Sequence, residues 1–341
     1  IFFNLHIKPM LNILKVDWII SMIINSSNSW SSLKEVWLGD VYPADWYDHL
    51  PTQVRDAFRT ITEITKEDLD IIQTTIESFG VHVRRPTYDN IDSFIDTHTG
   101  QLIKPQITPR DQFVTLGNKL IAHKWHTKAW ESVLEEYKLD TECSVILTDN
   151  PSLNGANVVR MNKDLIIDNP SGIEIPKMND DFLSDYNVTI VNNGGHMDGC
   201  FAILKPGLLI ASDYFPSYDE TFPGWTKIDL SNPEFRKHTK RKKGFGQSGK
   251  WWLPHVNINN NKSFGKHIEQ HALDWVGEYT ETYFELNCLV IDEQNVIMLG
   301  SNRSLELQLA KHDIQVHWVP FRTRSFWDGG MHCLTVDIHR R

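Results

Sequence analysis

Among its 341 residues the chain has only four cysteines, Cys143, Cys200, Cys288 and Cys333, and no two of them form a CxxC pair. That excludes a disulfide framework and a cysteine-built zinc site, and a reducing compartment, the cytoplasm, fits best. Positive charge is also short. Thirty-four Lys and Arg face 44 Asp and Glu, a net charge of −10, which argues against nucleic acid as a partner. Long apolar runs are missing as well. The N-terminal "IFFNLHIKPMLNILKVDWIISMIINSSNSW" is interrupted by Lys8, Lys15 and Asp17. Its longest uncharged apolar run, "WIISMII", falls far short of the roughly 20 residues of a membrane span. A secretory cleavage site of small residues is absent too, because "NSSNS" is polar. Residues 1–30 are therefore set aside as an N-terminal extension, and 31–341 are read as one domain.

A repeat is present instead. "FVTLGNKLI" (113–121), "NVVRMNKDLII" (157–167), "FAILKPGLLIA" (201–211) and "NCLVIDEQNVIML" (287–299) each place a short turn between two apolar strands, the pattern of a β-hairpin. The turns recur at roughly 45-residue intervals, the last interval being about twice as long. Helical patterns and single strands lie between: "HTKAWESVLEEYKL" before "CSVILTD", "MNDDFLSDY" before "NVTIVNN", and "SNRSLELQLAKHD" before "IQVHWVPF". Residues 52–80 read as two helices broken near Thr65, ahead of "VHVRRP". The unit is hairpin, helix, strand. Several such ββαβ units would pack around a pseudo-symmetry axis; one large mixed sheet is the competing architecture.

The doubled interval holds a basic insertion, "EFRKHTKRKKGFGQSGKWWLPH" (234–255). On an acidic chain such a run is more often a solvated loop or lid than an RNA-binding arm. Its "GFGQSG" has neither the preceding strand nor the Lys-Ser/Thr of a phosphate loop. "HIEQH" sets His267 and His271 four apart, a zinc-like spacing, but position 268 is Ile and no third ligand is evident, so no metal is expected.

Chemistry-bearing residues gather where hairpins begin. In "SFWDGGMHCLTVDIHRR" Cys333 follows a diglycine, which permits close backbone approach, at the mouth of a strand. That placement suits a nucleophile, although a thiol near a strand is also ordinary packing. "NNGGHMDGC" sets His196 and Asp198 on one side of an extended segment. Asp111 opens the 113–121 hairpin, and Asn154 and Asn157 open the next. Singly, each has a bland reading as a cap or a loop hydrogen bond. Jointly they suit covalent chemistry on a cation: a thiolate, a histidine acid/base and carboxylates.

At these residues, over about positions 33–341, the sequence resembles the amidinotransferases, the arginine:glycine and inosamine amidinotransferase group. These belong to the guanidino-modifying superfamily with its five-bladed α/β propeller. The resemblance rests on "GGMHCLTVDIHRR", "NGGHMD" (193–198) and "PRDQFVTLGN". It implies Cys333 as nucleophile, His196 as acid/base, Asp111 and Asp198 as guanidinium ligands, and Asn193 lining the acceptor site. The family's aspartate partner of the histidine lies in a Phe-Asp-Ala-Ala-Asp segment. Here "LNGAN" puts Asn154 in its place, able to orient the ring but uncharged. An ungapped count sets Phe215 where the family has its carboxylate-binding arginine, and Glu285 where it has a serine. The implied reaction moves the amidino group of arginine to an amine such as glycine through an amidino-Cys333 intermediate, releases ornithine and needs no cofactor. A water-accepting arginine or agmatine deiminase and an inactive homologue are the alternatives. Small molecules are the expected partners, with no membrane association; a homodimer is left open.

Overall fold

The computed structural model describes residues 23–123, 127–137, 144–169, 181–193, 196–213, 215, 217–236, 261–276 and 284–341. Strand β1 (Leu33–Leu38) leads through helix α1 (Thr52–Glu77) to β2 (His82–Arg84), its parallel neighbour. The next module is the antiparallel hairpin β3 (Phe113–Leu116) and β4 (Lys119–His123), then helix α2 (Glu131–Tyr137), then β5 (Ser144–Thr148), parallel to β4. β6 (Val158–Met161), β7 (Asp164–Asp168) and β8 (Asn187–Val191) repeat that strand pairing, with a 3₁₀ turn (Asp181–Leu183) before β8 among the described residues. So do β9 (Phe201–Lys205), β10 (Leu208–Ala211), α3 (Tyr218–Thr221) and β11 (Thr226–Asp229). After α4 (Pro233–Arg236) and α5 (Lys262–His271) come β12 (Leu289–Asp292), β13 (Asn295–Leu299), α6 (Arg303–Ala310) and β14 (Gln315–Val319). A short α7 (Arg324–Trp327) precedes β15 (Thr335–Arg340), which returns antiparallel onto β1. The result is an α/β propeller of five three-stranded sheets, each built as a ββαβ module.

The local chemistry explains the hairpins. Gly117, Asn162 and Gly207 take φ of 60°, 63° and 82° at their turns, the left-handed region that glycine and asparagine enter at least cost. One expectation is corrected. Residues 52–77 form a single helix, without a break at Thr65. The Thr65 hydroxyl donates back to the Ile61 carbonyl (2.6 Å) and accepts from Trp327 Nε1 (2.9 Å). A β-branched residue that weakens an isolated helix is thus fixed by tertiary partners. Its neighbours Val54, Phe58, Ile61, Leu69, Ile72 and Ile76 form the buried face, at the three- and four-residue spacing of an amphipathic helix.

The core also takes in chain that sequence set aside. Ile24 is fully buried, and residues 25, 26 and 28 bridge to His339, Gly117 and Met161. This segment therefore crosses three sheets. Trp37 stacks on Trp130 with centroids 4.4 Å apart, tying β1 to the second module. The six-cation stretch of the basic insertion lies outside the described residues except for Arg236, as does Cys143. Among the described residues no helix is long and apolar enough to cross a membrane.

Candidate active site

In every module a chemistry-bearing residue lies shortly ahead of the first hairpin strand. Asp111 closes a 3₁₀ turn (Pro109–Asp111) before β3, and Asn154 to Asn157 form the turn before β6. His196 caps the 3₁₀ turn Met197–Gly199 before β9. Asn287 precedes β12, and Cys333 lies two residues before β15. Backbone hydrogen bonds stitch these turns together: Arg110 N–H to Cys333 O (3.3 Å), Gly155 N–H to Arg110 O (2.8 Å), Asp198 N–H to Ala156 O (3.2 Å) and His332 N–H to Asn287 O (3.3 Å). Positions far apart in sequence are thereby held in one rim.

The thiol of Cys333 is buried, 3% exposed. Asn287 grips it twice, donating from Nδ2 to Sγ (3.0 Å) and accepting the Cys333 N–H on Oδ1 (2.9 Å). The diglycine makes this possible. A Cβ on Gly330 would sit 2.4 Å from the Asn287 Cβ, so any side chain there would expel the asparagine. On its other side Sγ meets Asp198 Oδ2 at 3.5 Å, and that oxygen also takes the His332 Nδ1 contact at 2.8 Å. Burial, and after it the Arg110 cation, hold His332 below the usual imidazole range. Neutral, it donates Nδ1–H to the carboxylate. Burial works against the Asp198 charge, but the His332 hydrogen bond and nearby histidines outweigh it, so its pKa is lowered. Asp198 Oδ1 stays buried without a hydrogen-bond partner among the described residues.

His196 is about half exposed, its Nδ1 3.8 Å from Asp111 Oδ1, too far for a hydrogen bond but close enough for charge. Burial opposes the imidazolium, yet Asp111, then Asp198, Asp328 and Asp168, outweigh it and raise its pKa. Asp111 Oδ1, like Asp198 Oδ1, has no hydrogen-bond partner among the described residues. One such oxygen on the carboxylate that meets the thiol, and a second facing His196, suit a planar cation able to donate several N–H bonds. Arg110, Asp198, His332 and Asp337 also line an axial cavity of about 50 Å³, which has room for water rather than for a guanidino substrate.

Of the residues singled out in the sequence, Cys333, His196, Asp198 and Asp111 come together. The others have different surroundings. Asn154 spends its side chain on its own turn, accepting from the N–H groups of Ala156 (3.0 Å) and Asn157 (2.9 Å) and donating to Pro151 O (2.8 Å). None of these bonds reaches His196. Phe215 is buried against Phe201 and Tyr218 in an apolar cluster. Glu285 is buried, accepting from Asn302 Nδ2 at 3.0 Å. Asn193 donates from Nδ2 to Cys200 Sγ (2.7 Å) and from its backbone to Asp168 Oδ1 (2.8 Å). Sequence reasoning missed Asn287, two residues beyond Glu285, and gave no part to His332 although it adjoins Cys333.

No protein-family model matches the chain. Curated relatives do. The mitochondrial glycine amidinotransferases of Gallus gallus and Xenopus laevis are each 25% identical to it over 223 residues. The chain is therefore similar to amidinotransferases of the guanidino-modifying superfamily. The match takes in 62% of this chain and 44% of each relative, so the chain covers less than half the length of the curated proteins it resembles. Solved structures share the fold. An amidinotransferase of the saxitoxin biosynthetic pathway from Microseira wollei superposes with a TM-score of 0.66 at 17% identity, over 93% of this chain and 97% of that one. The inosamine-phosphate amidinotransferase of Streptomyces griseus gives the same values. A dimethylarginine dimethylaminohydrolase superposes at 0.54 and 12% identity, over 89% of this chain and 99% of that one.

Proposed function

We propose that this chain is an amidinotransferase that takes the amidino group of arginine, or of a related guanidine, and passes it to an amine such as glycine. The observation that carries the reading is the Cys333 thiol held between Asn287 Nδ2 and Asp198 Oδ2, with unpaired carboxylate oxygens on Asp198 and Asp111 nearby. Neutral packing would leave no reason for such oxygens beside Cys333 and His196, because unpaired buried carboxylate atoms are costly.

In the first half-reaction Asp111 and Asp198 accept the guanidinium N–H groups, and the cation beside the sulfur favours the thiolate. The Cys333 sulfur bonds to the guanidinium carbon. The bond from that carbon to the substituted nitrogen breaks, and His196 in its protonated form gives its proton to the leaving amine. With arginine that amine is ornithine, and an amidino-thioether remains on Cys333. In the second half-reaction neutral His196 takes a proton from the acceptor amine as its nitrogen attacks the same carbon. The C–S bond then breaks and the thiolate returns. The raised His196 pKa suits a donor that must be charged near neutral pH.

The test is mass spectrometry of acid-quenched protein after exposure to arginine, followed by addition of glycine and other amines. The expected result is one amidino group on the Cys333 peptide, with ornithine released, and loss of that group to an amine without ammonia. Citrulline and ammonia would make the chain a deiminase instead. No adduct with arginine, agmatine or other guanidines would refute the covalent mechanism.

A further inference from the structure

One buried acid takes no part in this scheme. Asp168, the last residue of β7, is fully buried. Its backbone N–H donates to Asn157 O at 3.0 Å and its Oδ1 accepts the Asn193 N–H at 2.8 Å. The next residue, Asn169, donates its N–H to Val191 O at 2.9 Å. Asp168 thus pins the base of the segment that leads, three residues on, to His196. Its second oxygen, Oδ2, is buried with no hydrogen-bond partner among the described residues. A carboxylate kept whole in such a place costs free energy unless its charge is used.

We infer that Asp168 is a positioning residue for the proposed transfer: it fixes the segment carrying His196 and supplies a standing negative charge for the imidazolium. The inference rests on the amidinotransferase reading. Four acids favour the charged form of His196: Asp111 from the turn before β3, 3.8 Å away, then Asp198 from its own turn, Asp328 just after α7 and Asp168 from β7. His332 is bonded to Asp198 at 2.8 Å, and Arg110 is paired with Asp337 at 2.7 Å. During catalysis the guanidinium would occupy Asp111 and Asp198, cancelling the two carboxylates that act most strongly on the ring. Asp168 stands one hydrogen bond behind Asn193, apart from the two acids expected to hold the guanidinium. The local bonds of Asn154 leave it no such part. The acid that serves His196 therefore stands on the second strand of the hairpin that Asn154 opens, across from Asn157.

The test uses Asp168→Asn, which keeps the acceptor for the Asn193 N–H and removes only the charge. NMR titration of His196 in the ligand-free protein is independent of turnover. The variant should lower the His196 pKa while the melting temperature stays close to wild type. In kinetics, kcat near neutral pH should fall on the order of tenfold or more, with KM for the guanidine little changed. The basic limb of the first half-reaction should move to lower pH, because the proton-donating form of His196 is lost earlier. An unchanged titration and pH profile would overturn the inference, as would a His196 shift in Asp328→Asn with none in Asp168→Asn. If wild type forms no Cys333 adduct yet Asp168→Asn still lowers the His196 pKa, the transferase reading fails and the electrostatic link stands.

Discussion

Asp337 on β15 is the clasp of the propeller, and replacing it with Asn tests the assembly from fold to site. Its carboxylate is 1% exposed. It accepts from Arg110 Nη1 (2.7 Å), Arg160 Nη2 (2.5 Å), Arg340 Nε (2.6 Å) and Ser26 Oγ (3.0 Å). Three modules and the N-terminal segment meet on one anion. Asn keeps the shape but loses the charge, and turns an N–H₂ group toward guanidinium donors. Removing one partner of a buried ion pair costs about 3–5 kcal/mol. Three arginines do not triple that figure, because each retains backbone acceptors: Arg340 those of Ser31 and Val290, Arg160 those of Ser26 and Thr115, Arg110 that of His332. A loss near 4 kcal/mol is expected, a large part of the roughly 5–15 kcal/mol that stabilises a domain. At about 2 °C per kcal/mol for a chain of this size, the melting temperature should drop by about 8 °C.

The pH dependence sharpens the test. The three guanidinium groups overcome burial and hold Asp337 well below the ordinary carboxylate pKa. Its contribution is therefore fully present above the unfolded value of about 3.9 and fades only as pH falls through the lower folded value. Urea unfolding of wild type and Asp337→Asn at several pH values should give a constant gap from pH 8 to pH 5, narrowing only in stronger acid. A gap below about 1 kcal/mol at pH 7, or one that shrinks between pH 8 and 5, would refute the reasoning. Arg110 also links this clasp to the site through the carbonyls of His332 and Cys333, so the folded variant should amidinate Cys333 more slowly.

The four sequence-contiguous hairpins were legible because their strands are largely apolar, and three of their turns place Gly or Asn at positive φ. The fifth sheet was not, since its antiparallel pair joins β15 to β1 from opposite ends of the chain and leaves no local turn to read. Thr65 misled because helix propensity knows nothing of Trp327. At the site, residue type carried Cys333, His196, Asp198 and Asp111, whose chemistry is recognisable alone. Asn287 was invisible for a different reason. Its role is set by the Gly330 backbone lying against it across a gap of 43 residues, and counting without gaps lands on Glu285. Asp168 looks like any polar strand end until its burial and its unpaired oxygen are known.

Three further outcomes bear on the site itself. Cys333→Ala should abolish the arginine-dependent adduct and ornithine release; loss of turnover in Cys200→Ala or Cys288→Ala with Cys333→Ala active would reassign the nucleophile, although burial pushes the Cys288 thiol up to about 12. Asn287→Ala removes both grips on Cys333, so adduct formation should slow on the order of tenfold and stability fall by about 1–3 kcal/mol; an unchanged adduct rate would show that the Asn287 contact with Sγ is packing alone. Asp111→Asn has two separable effects, because Asp111 faces both the expected cation and His196. Losing one charge-assisted contact to the guanidinium costs about 1.5–3 kcal/mol, which is roughly a ten- to hundredfold rise in KM for the guanidine. Asp111 is also the strongest of the acids that raise the His196 pKa, so that pKa should fall and the basic limb of the first half-reaction should move to lower pH. A raised KM with an unmoved limb would separate Asp111 from His196, and an unmoved KM would remove it from the guanidinium site.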